Sequence, residues 1–149
     1  MQWDIEVNQQ KIAARPVQQL EALLKLTADD IKAGQGFLCV VDLRKVTEIS
    51  KKPALKELDV RYVSVPVVVE TFSEQDMDFV RREFARHWGR VLIVSEGGVR
   101  ATFFALAHAA RAQKWTLERA LSECPALAKE KPWLDYLTAY LSRHQAAAR

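Results

Sequence analysis

The sequence is poor in the residues from which recognisable sites are built, with two cysteines and three histidines among 149 residues. Cys39 sits in an apolar run and Cys124 precedes Pro125, so neither has the paired spacing of a metal centre or redox motif. Both read as reduced thiols of a cytoplasmic protein. His87 falls in the polar end of a helical pattern, His108 two turns into an apolar helix and His144 in the tail, and each reads as structural or solvated. No cofactor and no metal follow from this set. Neither sign of charge dominates: 22 basic and 19 acidic residues, well mixed, leave a net charge of +3. That balance mildly favours anionic partners and gives no basic footprint for a nucleic acid. Long hydrophobic runs are missing too. The longest, ATFFALAHAA, is about half of the roughly 20 residues that a membrane span requires. The amino terminus, MQWDIEVNQQ, has neither the basic nor the apolar region of a secretory leader. The expectation is a chain that is neither exported nor membrane-bound. Glycine is scarce as well, five in all, yet two are adjacent at positions 97 and 98.

What is present is core material. A hydrophobic fraction of 49% over 149 residues is enough for one substantial core, so the expected organisation is one domain over 1–149 with a frayed tail at 144–149. Continuous β-branched runs at 37–43 (FLCVVDL) and 90–94 (RVLIV) predict strands buried on both faces. Residues 11–14 and 60–65 (VRYVSV) read as further strands. Between them lie helical patterns at 17–26, a turn at 28–32 ended by Gly34 and Gly36, and 73–88. In the last, Ser73 and Asp76 have the spacing of a capping box, and Phe72, Met77, Val80 and Phe84 share one face. Helices are also predicted over 100–114, over 117–123 with Thr116 as cap, and over 133–143 with Pro132 in the first turn. Strands alternating with helices imply a three-layer α/β domain: a mostly parallel sheet of four or five strands with helices on both faces.

One stretch carries a chemical signal. In VLIVSEGGVRATFFALAHA, a buried strand passes through a glycine loop directly into a helix. Ligands of open α/β sheets bind beyond the carboxyl ends of the strands, where a helix amino terminus presents free N–H groups and the positive end of its dipole. Gly97 and Gly98 allow the loop to curl with its amides inward, and Arg100 could close a bidentate contact on a phosphate or sulfate. The anion-binding candidates are therefore Ser95, Glu96, Gly97, Gly98, Val99 and Arg100. The plainer alternative is an ordinary connection with Arg100 paired to a carboxylate.

The order of these elements, from about residue 12 to residue 121, resembles a bacterial family of small phosphatase-like proteins related to dual-specificity and tyrosine phosphatases and to the beta-lactamase hydrolase-like phosphatase domain. The segments that carry the resemblance are a helix from Pro16, a strand ending Val41-Asp42-Leu43-Arg44, a strand ending Val65-Pro66-Val67, a helix from Ser73 and the strand-loop-helix at 91–110. That family's loop is similar to His-Cys-x-x-Gly-x-Arg-Ser. Its cysteine thiolate attacks phosphorus, its amides and arginine hold the phosphoryl oxygens, and an aspartate from another loop protonates the leaving group. The resemblance places Gly98 on the glycine, Arg100 on the arginine and Ser95 on the nucleophile. It places Val94 on the histidine, Glu96 on a residue whose amide faces phosphate and Ala101 on the hydroxyl residue. Glu70 is the carboxyl group nearest to the general-acid position. Asp42 and Arg44, at a strand's carboxyl end, either border the cleft or are structural.

The resemblance implies a phosphatase-like domain with impaired catalysis, a pseudophosphatase, because a serine hydroxyl without a base is a far weaker nucleophile than a low-pKa thiolate. It would retain binding of phosphate or a phosphorylated ligand at 95–100. Two alternatives stand beside it. One is an active phosphoric ester hydrolase, if Ser95 is an introduced replacement for cysteine. The other is a protein interaction module without anion binding, whose C-terminal aromatics Trp115, Trp133, Tyr136 and Tyr140 would meet a protein partner rather than pack on the core. Whether the chain is an enzyme is left open by the sequence.

Overall fold

The computed structural model describes residues 1–19, 39–44, 61–86 and 89–146. Five strands form one sheet: β1 (Trp3–Val7), β2 (Gln10–Pro16), β3 (Cys39–Asp42), β4 (Arg61–Ser64) and β5 (Arg90–Ser95), in the order β1-β2-β5-β3-β4. The pairs β2–β5, β5–β3 and β3–β4 are parallel, and β1 runs antiparallel to β2. The helices are α1 (Glu74–Arg86), α2 (Val99–Gln113), α3 (Leu117–Glu123) and α4 (Lys131–Ala146), with short 3-10 turns at Val17–Gln19, Val69–Thr71 and Pro125–Lys129. The mostly parallel sheet flanked by helices is the expected architecture.

The central strands show why their sequences are continuously apolar. Ile12, Ala14, Val41, Val91 and Ile93 point into the core shared with the helices. The alternate residues Ala13, Val40, Leu92 and Val94 lie outside that cluster and are closed to solvent all the same. With a side-chain period of two, both faces of the sheet are therefore covered, and neither face selects polar residues. α2 is a core helix for the same reason: 101–107 are wholly buried, and an amphipathic pattern would be out of place there. A Phe→Ala change at Phe103 or Phe104 would cost about 3–5 kcal/mol.

Sequence signals and structure agree at several ends. The Asp76 carboxylate accepts from the Ser73 backbone N–H at 3.2 Å, the acidic half of a capping box. Thr116 Oγ1 accepts from the Arg119 N–H at 3.1 Å. Met77, Val80 and Phe84 form the buried face of α1, while Phe72 packs edge-on against Phe103 and Phe104.

Three differences are physical. β1 was not anticipated: its turn places Asn8 and Gln9 at φ 50° and 71°, a left-handed pair that suits a tight hairpin. The last helix continues past Arg143 to Ala146, because Arg143 and His144 are held by Glu74 across the helix interface. A 3-10 turn at Pro125–Lys129 joins α3 to α4 with Leu127 buried beneath it. The helix predicted over 17–26 beyond Gln19, the turn at 28–32, Phe37, Leu38, Val60, His87 and Trp88 lie outside the described residues, as do 147–149. No described helix is long and apolar enough to cross a membrane.

Candidate functional site

The loop leaves the sheet at its middle. β5 lies between β2 and β3, so Ser95 emerges from the carboxyl end of a central strand, and Glu96–Gly98 make one tight turn into α2. The turn needs its glycines. Gly97 and Gly98 have φ of +70° and +84°, in the left-handed region that a Cβ disfavours. A Cβ on Gly97 would meet open space, whereas one on Gly98 would overlap the Met1 carbonyl and lie 3.0 Å from the Pro16 nitrogen. The first glycine is required by conformation, the second by conformation and close packing.

Polar contacts fix the loop from inside. The Ser95 hydroxyl, fully buried, accepts from the Ala101 N–H at 3.0 Å. Thr102 Oγ1 donates to the Gly98 carbonyl at 2.8 Å, so a hydroxyl one residue beyond the position expected from the resemblance braces the loop. The Met1 amine donates to the Gly97 carbonyl at 2.8 Å. Arg100, half-buried, donates through Nη1 to the Val67 carbonyl. Among the described residues it pairs with no carboxylate, and its Nε and Nη2 have no partner there and could form a fork. Glu96 is exposed.

Neighbouring groups limit the chemistry. Among the described residues, no histidine or carboxylate bonds to Ser95, so no base stands ready to take its proton. Nor does a cysteine replace it. Burial pushes the Cys39 thiol up to about 12, with Glu83 adding to the effect, and burial also raises Cys124. Neither forms a thiolate at neutral pH. His108 belongs to the α1–α2 interface, and His144 pairs with Glu74. No metal-ligating cluster forms among the described residues.

The segment after β4 is held at two carbonyls, one beside the loop and one by α4. Arg100 holds Val67, and the Tyr136 hydroxyl donates to the Val69 carbonyl at 2.6 Å. Glu70 sits on this strap, exposed, with no hydrogen bond from its carboxylate to Ser95 or Arg100 among the described residues. The sequence offers Tyr136 as a core-packing or partner-facing aromatic; its spacing alone does not reveal that its hydroxyl pins the strap.

Asp42 and Arg44 are joined more closely than the sequence indicates. The wholly buried Asp42 carboxylate accepts from the Arg44 N–H at 3.0 Å, from its Nε at 3.1 Å and Nη2 at 2.7 Å, and from the Tyr62 hydroxyl. This hydrogen bonding raises the Arg44 pKa. The group ties β3 to β4 and directs its charges at each other. Trp133 and Tyr140 are buried, and Tyr136 and Trp115 pack against the core, so the C-terminal aromatics turn inward.

No family model and no curated relative matches the sequence. Solved structures do match. A DUF442 protein from Shewanella putrefaciens CN-32, described as a candidate phosphatase, shares 19% identity over 95% of this chain and 90% of its own, with a TM-score of 0.62. A candidate phosphatase from Neisseria meningitidis z2491 shares 15% identity over 87% of this chain and 92% of its own, with a TM-score of 0.59. TpbA of P. aeruginosa, in a Cys-to-Ser form complexed with phosphotyrosine, shares 18% identity over 88% of this chain and 85% of its own, with a TM-score of 0.55. At these identities the likeness is one of fold: this chain has a phosphatase-like fold, with its glycine loop at the carboxyl end of the central strand.

Proposed function

We propose that the chain is a phosphatase-like domain that binds phosphate or a phosphorylated ligand at 95–100 and turns it over poorly or not at all. The observation that carries this reading is the state of Ser95 and Arg100. Among the described residues, the buried hydroxyl has only the Ala101 amide as partner, while the guanidinium keeps Nε and Nη2 unspent beside a helix amino terminus. Binding uses what is present: the α2 dipole, the loop amides and a fork that could grip two oxygens while Nη1 keeps Val67. Phosphoryl transfer would require more. An unactivated hydroxyl is a poor nucleophile, and Glu70, exposed and unanchored, is a weak substitute for a positioned general acid, a role worth about 10² to 10⁴ in rate.

The complex of TpbA with phosphotyrosine is a property of that protein, but it supports the idea that a protein of this fold can hold phosphotyrosine in a form that has serine in place of a cysteine. Glu96 opposes an incoming anion unless it turns to solvent, so affinity should rise when it is neutralised. The test is thermal unfolding with phosphate, sulfate or vanadate, because a ligand selective for the native state raises Tm. A rise in the wild type that vanishes in Arg100→Met supports the reading; no rise with any of the three rejects it. A parallel aryl phosphate assay of the wild type and Ser95→Cys should give negligible turnover in both. Strong activity in Ser95→Cys alone would instead favour the reading in which serine is an introduced replacement.

A further inference from the structure

A second cluster of cations lies away from the loop, where α1 and α2 meet α4. Arg81 Nε donates to His108 Nδ1 at 3.1 Å. His108 must therefore be neutral, with its own proton on Nε2. Burial first, then Arg81 and Arg111, push its pKa down to about 4. Arg111 Nη1 donates to the Tyr140 hydroxyl at 2.9 Å, and Arg81 lies close enough to the same phenol to feel it electrostatically. Two guanidinium groups thus converge on one buried phenol and one neutral imidazole.

Their counter-charge is thin. Asp78, 3.7 Å from Arg111, is the one carboxylate in ion-pair reach of that arginine among the described residues, and its side chain is 58% exposed. Such a pair contributes little. Arg81 is within ion-pair distance of no carboxylate among the described residues; burial lowers its pKa, and Asp78 offsets this only from a distance. Arg82, the next residue, lies 5.9 Å from the centroid of the Phe79 ring and also has no carboxylate partner among the described residues. Asp76, nearby, is already engaged with Ser73. Arg81 and Arg111 are half-buried, and cations removed from water are normally paired. Arg81, Arg82, His108 and Arg111 line one open groove of about 1230 Å³, with Asp76 and Asp78 also on its wall.

We propose that this groove is an oxyanion site, in which Arg81, Arg82 and Arg111 take a phosphate or carboxylate group of a ligand and His108 lies against it. The class follows from the donors: planar guanidinium forks with spare N–H groups match the oxygens of either group. Arg100 does not line the groove, so the proposal stands independently of the loop.

The test follows the His108 imidazole resonances of the full chain while inorganic phosphate and, separately, acetate are titrated in. The variants are Arg100→Met, Arg82→Gln and Arg81→Gln. The expected result is a saturable shift in the wild type and in Arg100→Met alike, weakened by roughly fivefold in the exposed variant Arg82→Gln and lost in Arg81→Gln. The bound anion should also raise the His108 pKa, since it offsets the cations that depress it. A response to phosphate alone assigns a phosphate site, and a response to both anions assigns a general oxyanion site. His108 resonances that neither anion moves, or equal affinity in Arg82→Gln and the wild type, would overturn the proposal.

Discussion

Two arginines at the same end of the sheet behave in opposite ways. Arg44, just past β3, spends its side-chain bonds on Asp42, and that carboxylate is filled by Arg44 and Tyr62. Arg100, just past β5, gives one N–H to a carbonyl and keeps the rest. Both have a place at the carboxyl end of a strand, but the Nε–Nη2 fork of Arg44 is spent on Asp42, whereas that of Arg100 has no partner among the described residues. A charged residue's role is thus read from what its partners leave unspent.

The comparison breaks most visibly at Asp42. Asp42→Ala should destabilise by about 3–5 kcal/mol, as removing one partner of a buried ion pair does, with the urea midpoint as the readout. A loss under about 1 kcal/mol would mean that the network is not structural. A smaller effect comes from pH. His108 has a folded pKa of about 4 against an ordinary 6.5. The unfolded chain therefore binds the extra proton first, and stability falls as pH drops from about 6.5 toward 4. The effect is on the order of 3 kcal/mol at full titration, and His108→Gln should flatten it.

The glycine pair sharpens the contrast within the loop. Gly98→Ala should cost about 2–3 kcal/mol, since it meets both left-handed strain and the Met1 carbonyl, and Gly97→Ala only about 1 kcal/mol, since its Cβ faces open space. Equal losses would contradict the packing at Gly98. Arg100→Met should have the smallest effect on stability, within about 1 kcal/mol, because the lost bond is a single one to a carbonyl.

How far the sequence revealed this depended on the reach of each signal. Local patterns were legible: the β-branched runs of β3 and β5, the Ser73–Asp76 cap and the Thr116 cap each rest on residues close in the chain. The left-handed loop was legible because two adjacent glycines mark it. β1 was not, because its alternation WDIEV looked like a polar terminus until Asn8 and Gln9 turned it onto β2. Tyr62 on Asp42, Tyr136 on the Val69 carbonyl, Met1 on Gly97 and Arg81 on His108 join residues far apart in sequence, and no local pattern encodes such pairs. The spent state of Asp42 and the unspent state of Arg100 are facts of the fold.

The most direct measurement is a calorimetric titration of the wild type with phosphotyrosine, with released phosphate assayed in the same cell. The account expects saturable binding, abolished in Arg100→Met, with no phosphate released. Steady release of phosphate that Ser95→Ala abolishes would contradict it.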